Sequence, residues 1–138
     1  MALNVLVTDD SKIMRAAIIR TLKMAGIPVA EIHQAENGQQ ALEVLDQQDI
    51  DLLLADINMP VMNGEELLEQ VRSTPALRPL DVIVISSEAS PARIRRIEGR
   101  GACFIKKPFK PNELRRTVMR LTGESDEPGG DSSEDADF

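Results

Sequence analysis

Short runs of aliphatic residues alternate with longer amphipathic stretches along most of the chain. The runs lack the regular polar alternation of a half-exposed strand, which favours strands that helices cover on both faces. The longer stretches place apolar residues at helical spacing. The predicted strands are residues 3–7, 31–35, 51–56, 81–85 and 102–106, and the predicted helices are residues 11–24, 37–48, 65–73, 91–100 and 111–122.

Several residues mark where the helices begin and end. Gly26 and Pro28 end the first helix, since neither residue suits a helix interior. Asn37 is expected to cap the second helix, and Pro91 and Pro111 are expected at first helical positions. The first helix has apolar residues near the spacing of an inward face, namely Ile13, Ala17, Ile18 and Leu22.

Strands and helices alternate throughout the first 122 residues of the chain. Five strands that each precede a helix favour a doubly wound α/β fold, with one five-stranded parallel sheet and five helices. In such sheets ligands bind at the carboxyl ends of the strands, where the strand order reverses. The chemistry of this chain is therefore expected at that edge of the sheet.

The chain has 138 residues and a formal net charge of −7, and this charge is concentrated at one end. Residues 123–138 contain seven acids and no base, so residues 1–122 balance 16 acids against 16 bases. The last residues are also rich in Ser, Gly and Pro, and such composition favours disorder. We therefore expect a folded domain over residues 1–122 and an acidic, disordered tail over residues 123–138.

Composition also argues against several classes of protein. No apolar run approaches the roughly 20 residues that a membrane-spanning helix needs, and the N-terminus lacks the basic start of a signal peptide. A single cysteine, Cys103, excludes an internal disulfide and fits a reducing cytoplasm. No residues remain after Thr122 for a helix-turn-helix module, so DNA binding is not expected.

Polar side chains stand at the predicted carboxyl ends of four strands. Asp9 and Asp10 follow the first strand, and Asp56 ends the third. Ser86 follows the fourth strand, and Lys107 lies near the end of the fifth. Carboxylates that converge in one crevice repel each other, and a hard cation such as Mg²⁺ relieves that repulsion through oxygen ligands. A carboxylate can also act as a nucleophile and form an aspartyl phosphate, so these residues indicate a phosphoryl-transfer site.

Ordinary helix and turn chemistry offers a second interpretation of the same residues. Asp9 and Asp10 would cap the helix that follows them and complement its dipole. Ser86 and Ser87 would form a plain turn or an N-cap pair. Turns alone do not readily account for an acidic pair, a lone acid, a hydroxyl and a lysine at four strand ends. The combination therefore favours a phosphoryl-transfer site over ordinary capping and turns.

Five segments together resemble the receiver domain of bacterial response regulators. They occur in the order and spacing of that family and cover roughly residues 3–121. The resemblance implies a flavodoxin-like sheet with strand order 2-1-3-4-5. The matching segments are Val7-Thr8-Asp9-Asp10-Ser11, Leu54-Ala55-Asp56-Ile57-Asn58-Met59-Pro60, Met62-Asn63-Gly64, Ile85-Ser86-Ser87-Glu88-Ala89 and Lys106-Lys107-Pro108-Phe109.

The resemblance also implies a role for each residue of the site. Asp56 would accept the phosphoryl group, while Asp10 would bind Mg²⁺ directly and Asp9 largely through water. Mn²⁺ could replace Mg²⁺ in this set of ligands. Asn58 would give the metal its backbone carbonyl. Lys107, in a Lys-Pro bond that is commonly cis in the family, would pair with Asp56 or its phosphate.

The switching residues of the family also have counterparts in this chain. Ser86 would contact the phosphoryl group and move on activation, and Phe104 would follow it. Phe104 is equally a candidate for ordinary core packing, and it has no hydroxyl to offer a partner. Asn58 and Glu88 lie two residues after Asp56 and Ser86 and bear on the lifetime of the phosphate. This pair resembles chemotaxis regulators of the CheY type.

A basic stretch indicates where partners would bind. Residues 93–120 hold ten basic residues and two acids. A solvated helical surface is the plain interpretation, and a docking face on the fourth helix, fifth strand and fifth helix is the sharper one. An output protein, or the acidic tail of the chain itself, would bind to that face. The resemblance implies that the phosphoryl group comes from a histidine kinase or a phosphotransfer protein.

The predicted function is a phosphoacceptor switch in two-component signalling, not an enzyme that acts on diffusible substrates. A phosphorelay intermediate that passes phosphate to another histidine is the alternative within this class. A phosphatase of the haloacid dehalogenase type has Asp-x-Asp after its first strand, whereas Asp9 and Asp10 are adjacent here. A binding module that works without phosphorylation would have no need of the full acidic set.

Overall fold

The computed structural model describes residues 2–123 and contains one parallel sheet in that range. The strands are β1 (Leu3–Thr8), β2 (Val29–Ala35), β3 (Leu52–Asp56), β4 (Asp81–Ser86) and β5 (Cys103–Lys106). They lie in the order β2-β1-β3-β4-β5, and every neighbouring pair is parallel. The predicted doubly wound α/β fold and its strand order are thereby confirmed.

Five helices cover the two faces of the sheet in the described part of the chain. They are α1 (Lys12–Met24), α2 (Gly38–Gln47), α3 (Gly64–Ser73), α4 (Pro91–Gly99) and α5 (Pro111–Thr122). Helices α1 and α5 share one buried cluster with the sheet, and α2, α3 and α4 share the other. Both faces of the sheet are therefore covered, which explains the unbroken aliphatic runs in the sequence.

Strand β3 shows how burial on two faces removes the alternation of polar and apolar residues. Leu52 and Leu54 belong to the cluster shared with α1 and α5, and Leu53 and Ala55 belong to the other cluster. Every residue of the strand is buried, including Asp56 at its end. Burial of a carboxylate costs free energy unless a partner compensates it, so Asp56 needs specific neighbours.

Most of the predicted element boundaries lie within one residue of the observed ones. Strand β2 is the largest difference, since it begins two residues earlier than predicted. Asn37 and Ser90 accept backbone hydrogen bonds as the N-caps of α2 and α4. Asn63, which precedes the helix predicted over residues 65–73, forms a capping box with Glu66 at the start of α3.

The predicted inward face of α1 is wrong at Ile13, whose side chain is 83% exposed. The buried residues of this helix are Arg15, Ile18 and Leu22. At about 100° per residue, Ile13 lies roughly 140° around the helix from Ile18 and faces solvent. Arg15 occupies the buried position because its guanidinium finds hydrogen-bond partners there.

Two further expectations concern membrane-spanning helices and the division of the chain into a domain and a tail. Among residues 2–123, no helix combines the length and the apolar composition that would be required to cross a bilayer. The division into a domain over residues 1–122 and an acidic tail over residues 123–138 stays a prediction. Apart from Gly123, that tail lies outside the described residues.

Charged groups on helix α4 connect it to α3. Ile97 is the one buried residue of this helix within the described range. Glu65, the second residue of α3, is 7% exposed. It accepts hydrogen bonds from Arg93 Nε at 2.8 Å and from Arg96 Nε at 2.6 Å. We refer to Glu65, Arg93 and Arg96 as the α3–α4 ion-pair cluster.

The stability that Glu65 contributes should depend on pH. The hydrogen bond from Arg96 lowers the pKa of Glu65 from 4.5 to about 2, while burial opposes this change and Arg93 adds to it. A carboxyl group whose pKa falls on folding stabilises fully above its unfolded pKa, and that stabilisation is lost as the pH drops through the folded pKa. Urea unfolding at about pH 6 should show Glu65→Gln less stable by about 1–2 kcal/mol.

The difference between wild type and Glu65→Gln should be clearly smaller at about pH 3.5 and should approach zero only as the pH falls below about 2. Comparison with this variant cancels the titration of the other carboxylates. If the two proteins differ in stability by the same amount at about pH 6 and at about pH 3.5, the pKa of Glu65 is not lowered in the folded state.

Candidate functional site

Three carboxylates meet at the carboxyl edge of the sheet. Asp9 and Asp10 directly follow β1, and Asp56 ends the neighbouring strand β3. Each offers a carboxylate oxygen, and these oxygens lie within 4.8 Å of one another. Asp9 and Asp56 are buried, whereas Asp10 is exposed. The structure thus brings together the three acids that the sequence analysis assigns to a metal site.

Hydrogen bonds from β2 and α1 hold Asp9 in place. The amide of Asp9 donates to the carbonyl oxygen of Ala35 at 3.1 Å, and the carbonyl oxygen of Asp9 accepts from Arg15 Nη1 at 2.7 Å. Arg15 Nε in turn donates to Gln34 Oε1 at 2.8 Å. The amide of Ser11 donates to Asp9 Oδ1 at 2.9 Å. The backbone and one carboxylate oxygen of Asp9 are therefore fixed by the protein itself.

Lys107 places a positive charge beside two of the three acids. Its Nζ lies 3.4 Å from Asp9 Oδ2 and 3.6 Å from Asp56 Oδ1. The Lys107–Pro108 peptide bond is cis. Burial raises the pKa of Asp56, Lys107 acts in the opposite direction, and the charge of Asp9 adds to the rise. Lys107 thus offsets only part of the effect that burial and the charge of Asp9 have on the pKa of Asp56.

Ser86 lies next to Asp56 at the end of the adjacent strand. In the ladder between β3 and β4, Asp56 is opposite Ile85, the residue before Ser86. Ser86 is 1% exposed, and its Oγ donates to the carbonyl oxygen of Glu88 at 3.1 Å. The carbonyl oxygen of Ser86 accepts a hydrogen bond from the amide of Lys107 at 2.9 Å. The hydroxyl is thus held within the loop between β4 and α4.

A polar cavity of about 500 Å³ opens beside this edge of the sheet. Asn58 and Glu88, the two residues assigned to phosphate lifetime, both line it. Arg93 of the α3–α4 ion-pair cluster and Lys106 line the same cavity. The structure therefore brings Asn58 and Glu88 together, although they are 30 residues apart in the sequence.

Phe104 lies on β5, away from the three acids. It is opposite Val84 in the sheet, and Lys106, two residues later, is opposite Ser86. Phe104 is partly buried and packs against the cluster shared with α2, α3 and α4. This position suits both core packing and a switching role, so both interpretations stay open.

The chemistry of the donors fits a hard divalent cation. Mg²⁺ takes oxygen ligands and usually keeps several waters, which suits a site with two buried carboxylates and one exposed carboxylate. Three converging carboxylates with Lys107 beside two of them retain negative charge, which a bound cation would neutralise. Asp9, Asp10 and Asp56 are therefore the residues that could hold such an ion.

Sequence reasoning missed two residues that shape the site. Arg15 lies at helical spacing from the buried residues Ile18 and Leu22, but arginine is rarely buried, so this spacing alone does not indicate its burial. Gly64 packs so closely that a Cβ would overlap the carbonyl oxygen of Asp56. The pair Asn63-Gly64 is an ordinary turn signal, so nothing in the sequence indicates this approach.

Comparison with known proteins identifies the family to which this geometry belongs. The model of the family described as the response regulator receiver domain matches residues 5–119. The chain belongs to that family. Receiver domains are the signalling switches of two-component systems, so the predicted class of function is confirmed at this level.

This receiver domain has relatives in plants and bacteria. It is 36% identical over 120 residues to the two-component response regulator ORR3 of Oryza sativa subsp. indica, covering 86% of this chain and 89% of that protein. It is 35% identical over 126 residues to the chemotaxis protein CheY1 of Helicobacter pylori, covering 90% of this chain and 100% of that protein. The solved structure of the chemotaxis response regulator CheY4 of Vibrio cholerae matches with a TM-score of 0.75 and 31% identity, covering 88% of this chain and 99% of that chain.

Proposed function

We propose that this receiver domain accepts a phosphoryl group on Asp56 in a Mg²⁺-dependent reaction. The donor is a phosphohistidine of a histidine kinase or of a phosphotransfer protein. The observation that carries the proposal is the cluster of three carboxylate oxygens within 4.8 Å of one another, with the ammonium of Lys107 3.6 Å from Asp56. This set supplies a nucleophile, ligands for a hard cation and a counter-ion.

Asp56 acts as the nucleophile in this proposal. One of its carboxylate oxygens bonds to phosphorus while the bond from phosphorus to the imidazole nitrogen of the donor breaks. The electron pair of the broken bond leaves with the imidazole. The product is an aspartyl phosphate, and hydrolysis of that acyl phosphate returns the domain to its starting state. The domain takes part only in its own phosphorylation and dephosphorylation.

Asp9, Asp10 and Asp56 would hold Mg²⁺ through their carboxylates, and Asn58 through its backbone carbonyl oxygen. When bound, Mg²⁺ or Mn²⁺ neutralises negative charge on the transferring phosphoryl group. Arg15 supports this assignment, because its hydrogen bond to the carbonyl oxygen of Asp9 fixes the chain that carries the acidic pair. Preformed ligands of this kind lose little freedom on binding.

Lys107 stabilises the charge of the phosphorylated state. Its ammonium is 3.6 Å from Asp56 Oδ1 and is therefore within reach of the oxygens of a phosphoryl group bonded to that atom. Its second contact, with Asp9 Oδ2 at 3.4 Å, keeps the ammonium in the site before the reaction. Because the amide of Lys107 donates to Ser86, the ammonium and the hydroxyl come from joined strand ends.

Ser86 and Phe104 would report phosphorylation to a partner. When Ser86 Oγ turns to the phosphoryl group, it must give up its hydrogen bond to the carbonyl oxygen of Glu88 and alter the loop before α4. Phe104 then adjusts on β5. An output protein docks on the surface of α4, β5 and α5, where Arg95 and Arg116 are exposed. The switch works only if that partner binds the two states with different affinity.

Two outputs are compatible with this mechanism. The likeness to the chemotaxis protein CheY1 over its whole length supports a motility output, as does the pair of Asn58 and Glu88 on one cavity. A phosphorelay intermediate would instead pass the phosphoryl group to a second histidine, and the likeness to ORR3 supports two-component signalling without favouring either. We expect a cytoplasmic location for the protein with either output, motility or phosphorelay.

Acetyl phosphate tests the proposed function directly. Intact-mass measurement should show one phosphoryl adduct that forms with Mg²⁺, is lost with a chelator and is lost in Asp56→Asn. Asp49→Asn is the matched control, since Asp49 is exposed and lies with Asp51 and Asp81 at the opposite edge of the sheet. An adduct that persists in Asp56→Asn would show that another residue accepts the phosphoryl group, and no adduct at all would favour a phosphorylation-independent binding module.

A further inference from the structure

Charged groups at both ends of α4 join it to α3. Near its start, Glu65 Oε1 accepts from Arg93 Nε at 2.8 Å and from Arg96 Nη2 at 3.2 Å, and Glu65 Oε2 accepts from Arg96 Nε at 2.6 Å. Just beyond the end of the helix, Arg72 Nε donates to the carbonyl oxygen of Arg100 at 2.6 Å. Helix α4 has a single buried side chain among the described residues, so its apolar contact with the core is small and these polar contacts add to it.

The contact at Glu65 differs from an ordinary surface ion pair. The side chain of Glu65 is 10% exposed, whereas that of Glu69, which pairs with Arg100 at 3.1 Å, is 49% exposed. Exposed pairs contribute little to stability, but a covered carboxylate that loses its partners is left without compensation. Any displacement of α4 that separates Arg93 and Arg96 from α3 must therefore expose Glu65 to water or leave its charge unpaired.

The ion-pair cluster is also linked to the phosphoryl site. Arg93 lines the same polar cavity as Asn58 and Glu88, on the side of the site where the β4–α4 loop lies. The loop follows Ser86, whose Oγ donates to the carbonyl oxygen of Glu88, and ends at Ser90, which caps α4 by accepting from the amide of Arg93. Rearrangement of this short loop therefore acts on Arg93 through its backbone and through the cavity.

We propose that Glu65 holds α4 in the position of the unphosphorylated domain, so that the α3–α4 ion-pair cluster sets how readily α4 moves during switching. Glu65 is a positioning residue that acts through α4 and does not touch the reacting atoms. Its effect on switching rests on the proposed function of Asp56. Its hold on α4 is a property of the unphosphorylated domain and does not depend on that function.

Amide hydrogen exchange of the unphosphorylated protein tests the hold on α4. Glu65→Gln should speed exchange of the α4 amides by at least about tenfold, because hydrogen bonds to a charged group are lost or weakened. Amides of α1 and α5 should change much less. Arg96→Gln removes two of the three hydrogen bonds to Glu65 from the side of α4 and should give the same pattern with a smaller effect, since Arg93 still pairs with Glu65.

Glu69→Gln is the matched control, since it neutralises an acid on the same helix that pairs, in an exposed position, with Arg100 just beyond the end of α4. It should leave α4 exchange within about a factor of two. If α4 exchange in Glu65→Gln is unchanged, or if it rises equally in α1 and α5, Glu65 does not hold α4 specifically and the proposal is wrong.

The effect on switching is measured as the rate of adduct formation with acetyl phosphate and Mg²⁺. Glu65→Gln should form the Asp56 adduct at least about twofold faster than wild type, and Glu69→Gln should not. Faster α4 exchange with an unchanged rate would overturn the role in switching. If none of the proteins forms an adduct, the proposed function fails, and hydrogen exchange alone decides whether Glu65 holds α4.

Discussion

Replacing Gly64 with Ala should destabilise the receiver domain by about 3 kcal/mol, as severe overpacking does. A Cβ on Gly64 would overlap the carbonyl oxygen of Asp56 and would lie 2.9 Å from its carbonyl carbon and 3.1 Å from Ile57 Cα. These are backbone atoms, so no side chain can rotate away. The amide of Gly64 also donates to the carbonyl oxygen of Ile57 at 2.9 Å, which ties the start of α3 to the end of β3.

Urea unfolding of Gly64→Ala and Gly99→Ala measures this effect against a control. Gly99 is also helical, and a Cβ there would meet nothing within 4 Å. Gly99→Ala should be neutral or stabilising by up to about 1 kcal/mol, because alanine restricts the unfolded chain. If the two variants are equally stable, the close approach of α3 to the phosphoacceptor strand is incorrect.

Asp10→Asn should weaken Mg²⁺ binding by about 100-fold while the fold is retained. Loss of an outer partner of a metal site already costs about 10–100-fold in affinity, and Asp10 offers a carboxylate oxygen to the site itself. Because Asp10 is exposed, its replacement removes charge without leaving a cavity. Isothermal titration with MgCl₂ provides the affinity, and urea unfolding without metal checks the fold.

Asp49→Asn controls for the loss of one negative charge from the whole domain. It should leave Mg²⁺ affinity within about twofold, since exposed charges separated by more than about 10 Å are largely screened at ordinary salt. If Asp10→Asn binds Mg²⁺ as tightly as Asp49→Asn does, the acidic cluster is not the metal site.

The α/β fold could be predicted from the sequence because both strands and helices have strong local sequence signals. Five aliphatic runs without alternation require a sheet covered on both faces, and intervening helices can supply that cover only with parallel strands. Asn37 and Ser90 mark helix starts through local hydrogen bonds that depend on neighbouring residues alone. The strand order was not accessible in this way and came from the resemblance to receiver domains.

The acidic part of the site was predictable for a related reason. Parallel strands end at one edge, so Asp9, Asp10 and Asp56 had to come near each other once the fold was known. The resemblance assigns the site lysine to Lys107, because this residue directly precedes Pro108 and Phe109. The structure places Lys107 beside Asp56 and leaves Lys106 exposed.

The buried charges could not be predicted, because their partners come from distant parts of the chain. Arg15 is buried since β1 and β2 present Asp9 and Gln34 to it. Glu65 is buried since Arg93 and Arg96 approach it from α4. A helical pattern shows which face is apolar, and it assigns charged residues to solvent unless the tertiary partner is already known.

The central claim is that Asp56 carries the phosphoryl group, and covalent trapping tests it most directly. The protein is treated with acetyl phosphate and Mg²⁺, the acyl phosphate is reduced with borohydride to convert the modified aspartate to homoserine, and the peptides are mapped by mass spectrometry. We predict homoserine at position 56, at levels that fall to background when Mg²⁺ is chelated. Conversion at Asp9 or Asp10 instead, or at no aspartate, would contradict the account.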